Sequence, residues 1–393
     1  MAYAPAAVCT PSRAAIMIGK SVQFTGVTSN LPGYQLTHES TFVKAIRKAG
    51  YRTGYFGKWG LGGREGGPWN HGFDQFVGQT DNVQAHFVFP SYVEHFDSAV
   101  HPIPTTEKDY LALRKVIPNN AAGIRFTPKN CPDNPKATCV YVNDIFRDTF
   151  FEFIEGLKPF FAFWAPTYPH YASYNENDKW IPANYGATRR YSRPKKKYSS
   201  EPLRGHAGRI EAHLDGDIGM FLDKLASNPR LDENTLVIFT SDNGPPPDTK
   251  YFRPNGGLRG AKRNLFEAGV RVPTMIRWKR TLPAGVVSRT PFALYELADL
   301  LKNVAQHASP THELFKAWQN QAEIPSRAPL YLKTCNNGKN GPQGCSTAVY
   351  NLTNWQVHLT KIISDSTLAT DLVIDLALDP KESRPRKRAR PGK

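Results

Sequence analysis

Two short runs of the chain are apolar throughout, and polar residues follow each of them. The first run covers residues 160–164 and the second covers residues 235–240, after a helix-like stretch from about 210 to 226. Strands without a polar face are typical of the centre of a parallel sheet that helices cover on both sides. The pattern predicts an α/β fold with a mostly parallel central sheet sandwiched by helices.

Polar side chains stand just after each predicted strand. A short helix at 40–49, capped by Ser40, precedes a third strand at 51–56. Lys58 follows this third strand, His170 follows the 160–164 strand, and Asp242 and Asn243 follow the 235–240 strand. Ligands of open α/β sheets bind beyond the carboxyl ends of the strands, so we expect these side chains to converge on one crevice that faces Cys9.

The hydrophobic pattern weakens along the chain and suggests three parts. With 393 residues, of which 40% are apolar, the chain can bury one large core or two domains. We predict a catalytic domain at 1–280 and a smaller α+β subdomain at 281–380, with a helix near 291–306 and a strand or helix around 355–363. A disordered basic tail is expected at 381–393, and a long surface loop at 171–206.

The net charge of +16 is concentrated in two short segments. Residues 189–197 and the tail at 381–393 each contribute six net positive charges. Such runs are typical of solvated segments, and we expect no nucleic-acid partner, although a sulfated polymer would be attracted by the same charges. No apolar run approaches the 18 residues of a membrane span, so none is predicted.

A thiol and a fixed cation stand at the start of a predicted helix. Cys9 and Arg13 lie one turn apart, Thr10 can serve as N-cap, Pro11 can be the first helical residue, and Gly19 ends the helix. Amides at a helix N-terminus and an arginine both attract anions. The segment therefore predicts an anion site, while the alternative is a buried cysteine before an ordinary helix.

Residues 9–20 resemble the signature of type I sulfatases, the formylglycine-dependent, arylsulfatase-like enzymes of the alkaline-phosphatase-like superfamily. Its first five residues are Cys9-Thr10-Pro11-Ser12-Arg13. The resemblance implies that Cys9 is oxidised to formylglycine by a formylglycine-generating enzyme. It also implies hydrolysis of an aryl or carbohydrate sulfate, whether a small molecule or a glycan.

Three further blocks resemble the same family in the same order, between residue 4 and about residue 278. Residues 50–59 match its second signature, 165–170 its proline-histidine block, and 258–273 the block after its metal ligands. The resemblance implies catalytic roles for Cys9 and Arg13 and a metal site at Asp242 and Asn243, with Ca²⁺ ahead of Mg²⁺. It also implies sulfate binding by Lys58, His170 and Lys262, with His170 also able to protonate the leaving alcohol.

The chain departs from the family pattern at two places. The family usually has histidine where this chain has Gly60, and His86 is a candidate replacement for its proton transfer. In the family, a strand that ends in paired aspartates precedes the signature cysteine, whereas only eight residues precede Cys9 here. The sequence therefore looks truncated, and we expect weak metal binding and an inactive chain if those aspartates are absent.

The other four cysteines form two local pairs that suggest disulfides. Cys131 and Cys139 are close in sequence, as are Cys335 and Cys345. With a glycosylation triplet at Asn351, they favour the secretory pathway, extracellular or lysosomal, over a reduced cytosolic protein. Two other functions remain open: a non-catalytic protein that binds sulfated glycans, and a phosphatase or phosphonate hydrolase of the same fold.

Overall fold

The computed structural model describes most of the chain in two compact units. The described residues are 1–31, 33–37, 41–82, 85, 90–117, 140–156, 158–170, 214–246, 254–338, 341–353, 360–365 and 370–389. Unit 1 comprises 1–31, 40–45 and 230–393, and unit 2 comprises 32–39 and 46–229. Among these described residues, no helix combines the length and the apolar character that crossing a membrane requires.

The helices of the described chain are short, and glycines end several of them. They are, in chain order, α1 (Cys9–Ile18), α2 (Val22–Thr25), α3 (Phe42–Lys48), α4 (Glu107–Ala112), α5 (Val142–Ile154), α6 (Gly216–Ala226), α7 (Pro229–Asn234), α8 (Glu267–Val270), α9 (Leu297–Gln306) and α10 (Glu313–Gln319). Two 3₁₀ turns add Pro68–His71 and Leu294–Glu296.

The strands of the described residues form four hydrogen-bonded sheets. They are β1 (Ala2–Tyr3), β2 (Arg52–Lys58), β3 (Gln75–Gln79), β4 (Tyr92–Asp97), β5 (Arg114–Val116), β6 (Phe160–Ala165), β7 (Val237–Phe239), β8 (Arg271–Val272), β9 (Met275–Arg277), β10 (Phe292–Ala293), β11 (Leu330–Gly338), β12 (Gly341–Asn351), β13 (Thr360–Asp365), β14 (Thr370–Asp375) and β15 (Arg386–Ala389). The sheet orders are β5-β4-β3-β2-β6, β10-β1-β8, β11 to β15 in sequence, and β7-β9.

Unit 2 contains the mixed five-stranded sheet. β2 pairs in parallel with β3 and with β6, whereas β3, β4 and β5 pair antiparallel. Aromatic rings pack on this sheet. The ring centroids of Tyr55 and Phe163 lie 5.0 Å apart, and those of Phe56 and Phe153, which is on α5, lie 5.2 Å apart. The predicted strands at 51–56 and 160–164 are confirmed, and the molecule has an α/β fold.

The predicted position of the apolar strands is only partly correct. β6 lies at the end of the described sheet and is mostly half-buried, and β7 pairs antiparallel with β9 in unit 1. The described sheets are therefore mixed rather than mostly parallel, and the predicted α/β fold holds. Apolar side chains indicate that a strand is buried, but they do not determine which strand pairs with it or whether the pairing is parallel or antiparallel.

The C-terminal part of unit 1 is built on an antiparallel sheet, β11 to β15. The predicted helix near 291–306 corresponds to a 3₁₀ turn and α9, and the ambiguous segment around 355–363 contains the strand β13. Cys335 and Cys345 form the predicted disulfide between β11 and β12. The predicted pair Cys131 and Cys139 lies outside the described residues.

Part of the basic tail forms a strand, in contrast to the expected disorder. Arg386–Ala389 form β15, which pairs antiparallel with β14 at the edge of the C-terminal sheet. An edge strand needs a ladder partner on one side only, and charged residues are common there because they hinder further pairing. Charge density alone therefore predicted the wrong state for these four residues.

Candidate active site

The signature cysteine is the first residue of α1, in unit 1. Val8 is the N-cap, with no side-chain cap, so the predicted capping role of Thr10 is wrong. The Thr10 amide instead donates to Asn30 Oδ1 at 2.9 Å, because a side chain from a distant loop replaces the local cap. The helix ends at Gly19 as predicted. Cys9 is buried, with 3% of its surface exposed.

Arg13 joins the signature helix to the candidate metal ligands. Its Nε lies 2.7 Å from Asp242 Oδ2, and both side chains are largely buried. Cys9 and Arg13 are four residues apart and therefore lie on the same face of α1. The two sequence blocks that the analysis singled out, around residues 9–13 and 241–244, thus meet through an ion pair.

Lys262 lies directly beside the signature cysteine. Its ammonium donates to Cys9 Sγ at 3.4 Å, although 253 residues separate the two in sequence. Among the described residues, the ammonium of Lys262, the guanidinium of Arg13 and the N-terminal amides of α1 place positive charge in this region. The arrangement favours an anion next to position 9.

The loop at 259–267, which carries Lys262, is held by backbone hydrogen bonds to both neighbouring segments. The Lys262 amide donates to Pro245 O at 2.6 Å, and the Arg263 amide donates to Ala7 O at 2.8 Å. The side chain of Asn264 accepts from the amides of Ala261 and Phe266, which closes the loop on itself. The loop therefore connects the segment before Cys9 with the segment after Asn243.

Asn243 presents a buried oxygen without a hydrogen-bond partner. Its Nδ2 donates to Gly244 O at 2.8 Å, which orients the amide, while its Oδ1 accepts no hydrogen bond from the described residues. Gly244 leaves space for the backbone of α8, since a Cβ there would lie 1.9 Å from Ala268 O. A buried amide oxygen beside the carboxylate of Asp242 suits a hard cation.

Lys58 and His170 lie in unit 2, at the same edge of its sheet. Lys58 is the last residue of β2 and is 5% exposed, and its carbonyl accepts from Tyr55 Oη at 2.5 Å. His170 follows β6, the parallel neighbour of β2, in a turn closed by its amide and Thr167 O. Their convergence with Cys9 on one crevice stays a prediction.

A buried network anchors the turn that carries His170. The Thr167 amide donates to Asn143 Oδ1 at 2.8 Å, and Tyr168 Oη donates to Asp217 Oδ2 at 2.5 Å. Asp217 also pairs with Arg147. Burial, together with the charge of Asp217, raises the pKa of Tyr168 well above its ordinary value, so this hydroxyl remains a donor at neutral pH.

Gly60, which occupies the position of the usual family histidine, has a conformational reason to be glycine. Its φ of 71° lies in the left-handed region, where residues with a Cβ are strained. Its amide donates to Thr80 O at 3.2 Å. His86, the candidate replacement, lies outside the described residues, as do the 171–206 loop and its basic cluster.

The sequence analysis missed two residues that shape the site. Nothing near Asn30 marks it as the partner of Thr10, since its role depends on a contact across 20 residues. Asn264 had a usable signal: an asparagine between glycines in an irregular segment often bonds nearby amides. Its position between Lys262 and α8 could have predicted a self-closed loop.

Comparison with known proteins shows the family of this chain. The sequence model of the family described as Sulfatase matches residues 1–310, which is most of the chain and includes Cys9, Lys58 and Lys262. The chain belongs to the sulfatase family. The predicted membership and α/β fold are therefore confirmed.

Several sulfatases resemble this chain. It is 28% identical over 308 residues to an arylsulfatase of Hemicentrotus pulcherrimus, covering 72% of this chain and 47% of the relative. It is 26% identical over 331 residues to an N-acetylgalactosamine-6-sulfatase of Canis lupus familiaris, covering 79% and 55%. This sulfatase-family chain thus spans about half the length of the curated relatives that it matches.

Solved structures support the same fold. A crystal structure of Ps i-CgsB in complex with k-i-k-neocarrahexaose has a TM-score of 0.68 and 21% identity, and the match covers 98% of this chain and 79% of that one. Sulfatases generally use a formylglycine and a divalent metal. In this chain, Cys9, Asp242 and Asn243 are the candidate residues for those two groups.

Proposed function

We propose that this chain is the catalytic part of a sulfuric ester hydrolase whose nucleophile is a formylglycine made from Cys9. The observation that carries the proposal is the 3.4 Å contact between Lys262 Nζ and Cys9 Sγ, because the ammonium stands where charge develops on a sulfate bound at position 9. The Arg13–Asp242 pair supports it by bringing the candidate metal ligands to the same helix.

The proposed reaction uses both hydroxyls of the hydrated aldehyde at position 9. One hydroxyl attacks the sulfur, the bond from sulfur to the ester oxygen breaks, and His170 protonates the departing alcohol. Lys58 and Lys262 balance the charge on the sulfate oxygens. The second hydroxyl then loses its proton, the carbon–oxygen bond to sulfate breaks, and the aldehyde re-forms before water hydrates it again. An unmodified cysteine or a serine offers a single nucleophilic group, so no second hydroxyl would be present to expel the sulfate.

Asp242 and Asn243 fit a divalent cation as part of its ligand set. The unpartnered, buried Oδ1 of Asn243 and the adjacent carboxylate of Asp242 are oxygens of the kind that Ca²⁺ prefers, ahead of Mg²⁺. When bound, such an ion would withdraw charge from the sulfate oxygens. Ca²⁺ takes 6–8 oxygens, so other groups must complete the site.

Calcium is expected to raise the midpoint of thermal unfolding of the wild-type chain. Ligand binding at 100 times the dissociation constant stabilises a protein by about 2.7 kcal/mol. Asp242→Ala should remove the calcium-dependent rise, because the only charged donor of the pair is lost. The exposed Asp299→Ala on α9 is the control and should keep the rise. An unchanged calcium response in Asp242→Ala would contradict the metal assignment.

The modification of Cys9 decides between the catalytic proposal and a sulfatase-like glycan-binding protein. Gly60 favours the binding protein, because glycine cannot move the proton of the second hydroxyl and its φ of 71° disfavours a histidine. Mass spectrometry of the Cys9 peptide, from protein made in a secretory compartment with a formylglycine-generating enzyme, is expected to show the aldehyde. Quantitative unmodified thiol would overturn the catalytic proposal.

Paired substrates test the reaction type. The modified chain should hydrolyse an aryl sulfate faster than the matching aryl phosphate, since its nucleophile block resembles that of sulfatases. The reverse preference would favour the phosphatase or phosphonate hydrolase alternative. The physiological substrate proposed here is a sulfate ester of an aryl alcohol or of a carbohydrate.

We propose the secretory pathway, extracellular or lysosomal, as the location. The Cys335–Cys345 disulfide supports it, because disulfides persist in oxidising compartments. Asn351, the first residue of the glycosylation triplet, is exposed at the end of β12.

A further inference from the structure

A fully buried ionic cluster lies in unit 1, outside the residues of the proposed reaction. Lys361 Nζ on β13 donates to Glu382 Oε1 at 2.8 Å and to Glu267 Oε1 at 3.2 Å. The three side chains are 0–2% exposed. Buried ion pairs are weak evidence for stability, because desolvation of the charges opposes their attraction. A contribution to stability alone therefore does not explain this cluster.

Two tyrosines complete the hydrogen bonds of Glu267. Tyr350 Oη donates to Glu267 Oε1 at 2.9 Å, and Tyr3 Oη donates to Glu267 Oε2 at 3.3 Å. Burial and the charge of Glu267 raise the pKa values of both tyrosines well above the ordinary value, so both remain donors. The network joins β1, α8 and the C-terminal sheet around one carboxylate.

Glu382 holds both ends of the loop that carries Lys262. Its Oε2 accepts from the Glu267 amide at 2.6 Å, at the end of the 259–267 loop. Its backbone carbonyl accepts from Arg259 Nη1 at 2.7 Å, at the start of the same loop. The Arg259 guanidinium also lies 3.8 Å above the ring of Phe266. Glu382 thus closes this loop, although it lies more than 110 positions from both Arg259 and Glu267 in sequence.

The backbone of Glu382 is consistent with this constraint. Its φ of 55° lies in the left-handed region, which a residue with a Cβ adopts at a cost. Such a conformation persists where surrounding contacts determine it. The bonds of its carboxylate to Lys361 and to the Glu267 amide, together with the bond to its carbonyl, supply those contacts.

The geometry points to Glu382 as a positioning residue for the reaction at position 9, an inference that rests on the proposed function. Glu382 fixes the ends of the 259–267 loop, and the loop sets Lys262 Nζ against position 9 through its bonds to Ala7 and Pro245. A displacement of about 1 Å at a charged catalytic group can cost about 100-fold in rate. Glu382, near the end of the chain, therefore controls the catalytic geometry without touching the substrate.

Hydrogen exchange and kinetics of Glu382→Ala test this inference. The loop amides of Lys262 and Arg263, and the amide of Ala268 on α8, which donates to Arg259 O in the loop, should exchange at least about ten-fold faster in the variant. On an aryl sulfate, kcat should fall about 10- to 100-fold, with KM changing less, because Lys262 acts on charge that develops in the transition state.

Glu296→Ala is the matched control. Glu296 is also a largely buried carboxylate of unit 1 that accepts from a backbone amide, that of Ala293 at 2.7 Å, and pairs with an arginine, Arg327. It makes no hydrogen bond to the 259–267 loop among those of the described residues. The control should lose thermal stability but keep wild-type exchange in the loop and wild-type kcat.

A double variant, Lys361→Met with Glu382→Gln, covers the case in which Glu382→Ala does not fold. The amide oxygen at position 382 can still accept from the Glu267 amide while the ion pair is absent. Any loss of kcat should then be accompanied by faster exchange of the loop amides, because Glu382 acts through the loop. A kcat loss in this variant without faster loop exchange would overturn the inference.

The exchange data separate this inference from the proposed function, because they need no turnover. Loop protection equal to wild type in a folded Glu382→Ala variant would overturn the positioning role. A kcat loss in Glu296→Ala as large as that in Glu382→Ala would overturn it too, since lowered stability would then explain both. A folded wild-type chain with aldehyde at position 9 and no sulfatase activity would contradict the proposed function, while loop exchange would still decide the role of Glu382.

Discussion

Replacing Cys9 with alanine is expected to lower the turnover of an aryl sulfate by at least about 1,000-fold, a loss typical of removing a nucleophile. A methyl group cannot be converted to the aldehyde, and therefore neither the attacking hydroxyl nor the one that later expels sulfate can form. The measurement is kcat/KM for 4-nitrophenyl sulfate, with wild type and variant both made together with a formylglycine-generating enzyme.

Two controls distinguish a lost nucleophile from a damaged helix. Cys9 is 3% exposed and small, so Cys9→Ala should leave thermal stability nearly unchanged. Ser12→Ala alters another buried residue of α1, one whose hydroxyl has no hydrogen-bond partner, and should keep turnover within about three-fold of wild type. Activity above a tenth of wild type in Cys9→Ala would show that the nucleophile lies elsewhere.

Lys361→Met is expected to destabilise unit 1 by about 3–5 kcal/mol at neutral pH. The change leaves the carboxylates of Glu267 and Glu382 buried together without the ammonium that lies between them. Uncompensated buried charge is costly, whereas the methionine itself suits an apolar site. Native-state hydrogen exchange of the β13 amides measures the loss within unit 1, without requiring both units to unfold together.

The destabilisation should shrink as the pH is lowered. Burial raises the folded-state pKa of Glu382 above its ordinary value of 4.5, and Lys361 opposes this rise. The contribution of this carboxyl to stability is therefore present below about pH 4.5 and is lost as the pH rises through the folded-state pKa. Without Lys361 that pKa rises further, so the deficit of the variant should be smaller near pH 5 than near pH 7.

A surface lysine provides the comparison for Lys361. Lys302 pairs with Asp299 on α9, where both side chains are exposed, and Lys302→Met should cost at most about 1 kcal/mol at either pH. Equal effects of the two substitutions, or a Lys361→Met deficit that grows on acidification, would contradict the proposed energetics of the buried cluster.

Local patterns predicted several elements because their causes are local. The strand at 160–164 was correctly predicted from an apolar run, the strand at 51–56 was also correctly predicted, and the end of α1 was predicted from Gly19. The cap at Thr10 was wrong, since Asn30 supplies the hydrogen bond from another loop. The tail was also wrong in part, because pairing with β14 offsets the unfavourable composition of Arg386–Ala389.

The sequence alone identified the residue types of the candidate site. Cys9, Arg13, Asp242, Asn243 and Lys262 were selected by motif, since the chemistry of sulfate transfer and of hard cations requires thiol-derived, cationic and oxygen-bearing side chains. The tertiary structure decided which of them meet: Arg13 with Asp242, and Lys262 with Cys9. These contacts span more than 220 residues, and no local pattern encodes them.

Glu382 is the clearest example of the difference between what the sequence and what the tertiary structure determined. In the sequence it stands in a basic tail that was expected to be disordered. The structure buries it completely, pairs it with Lys361 and attaches it to both ends of the loop that carries Lys262. The sequence by itself therefore determined the family and the chemical groups of the candidate site. The tertiary structure alone decided how remote segments hold those groups in place, because positioning depends on packing and hydrogen bonds between residues that are distant along the chain.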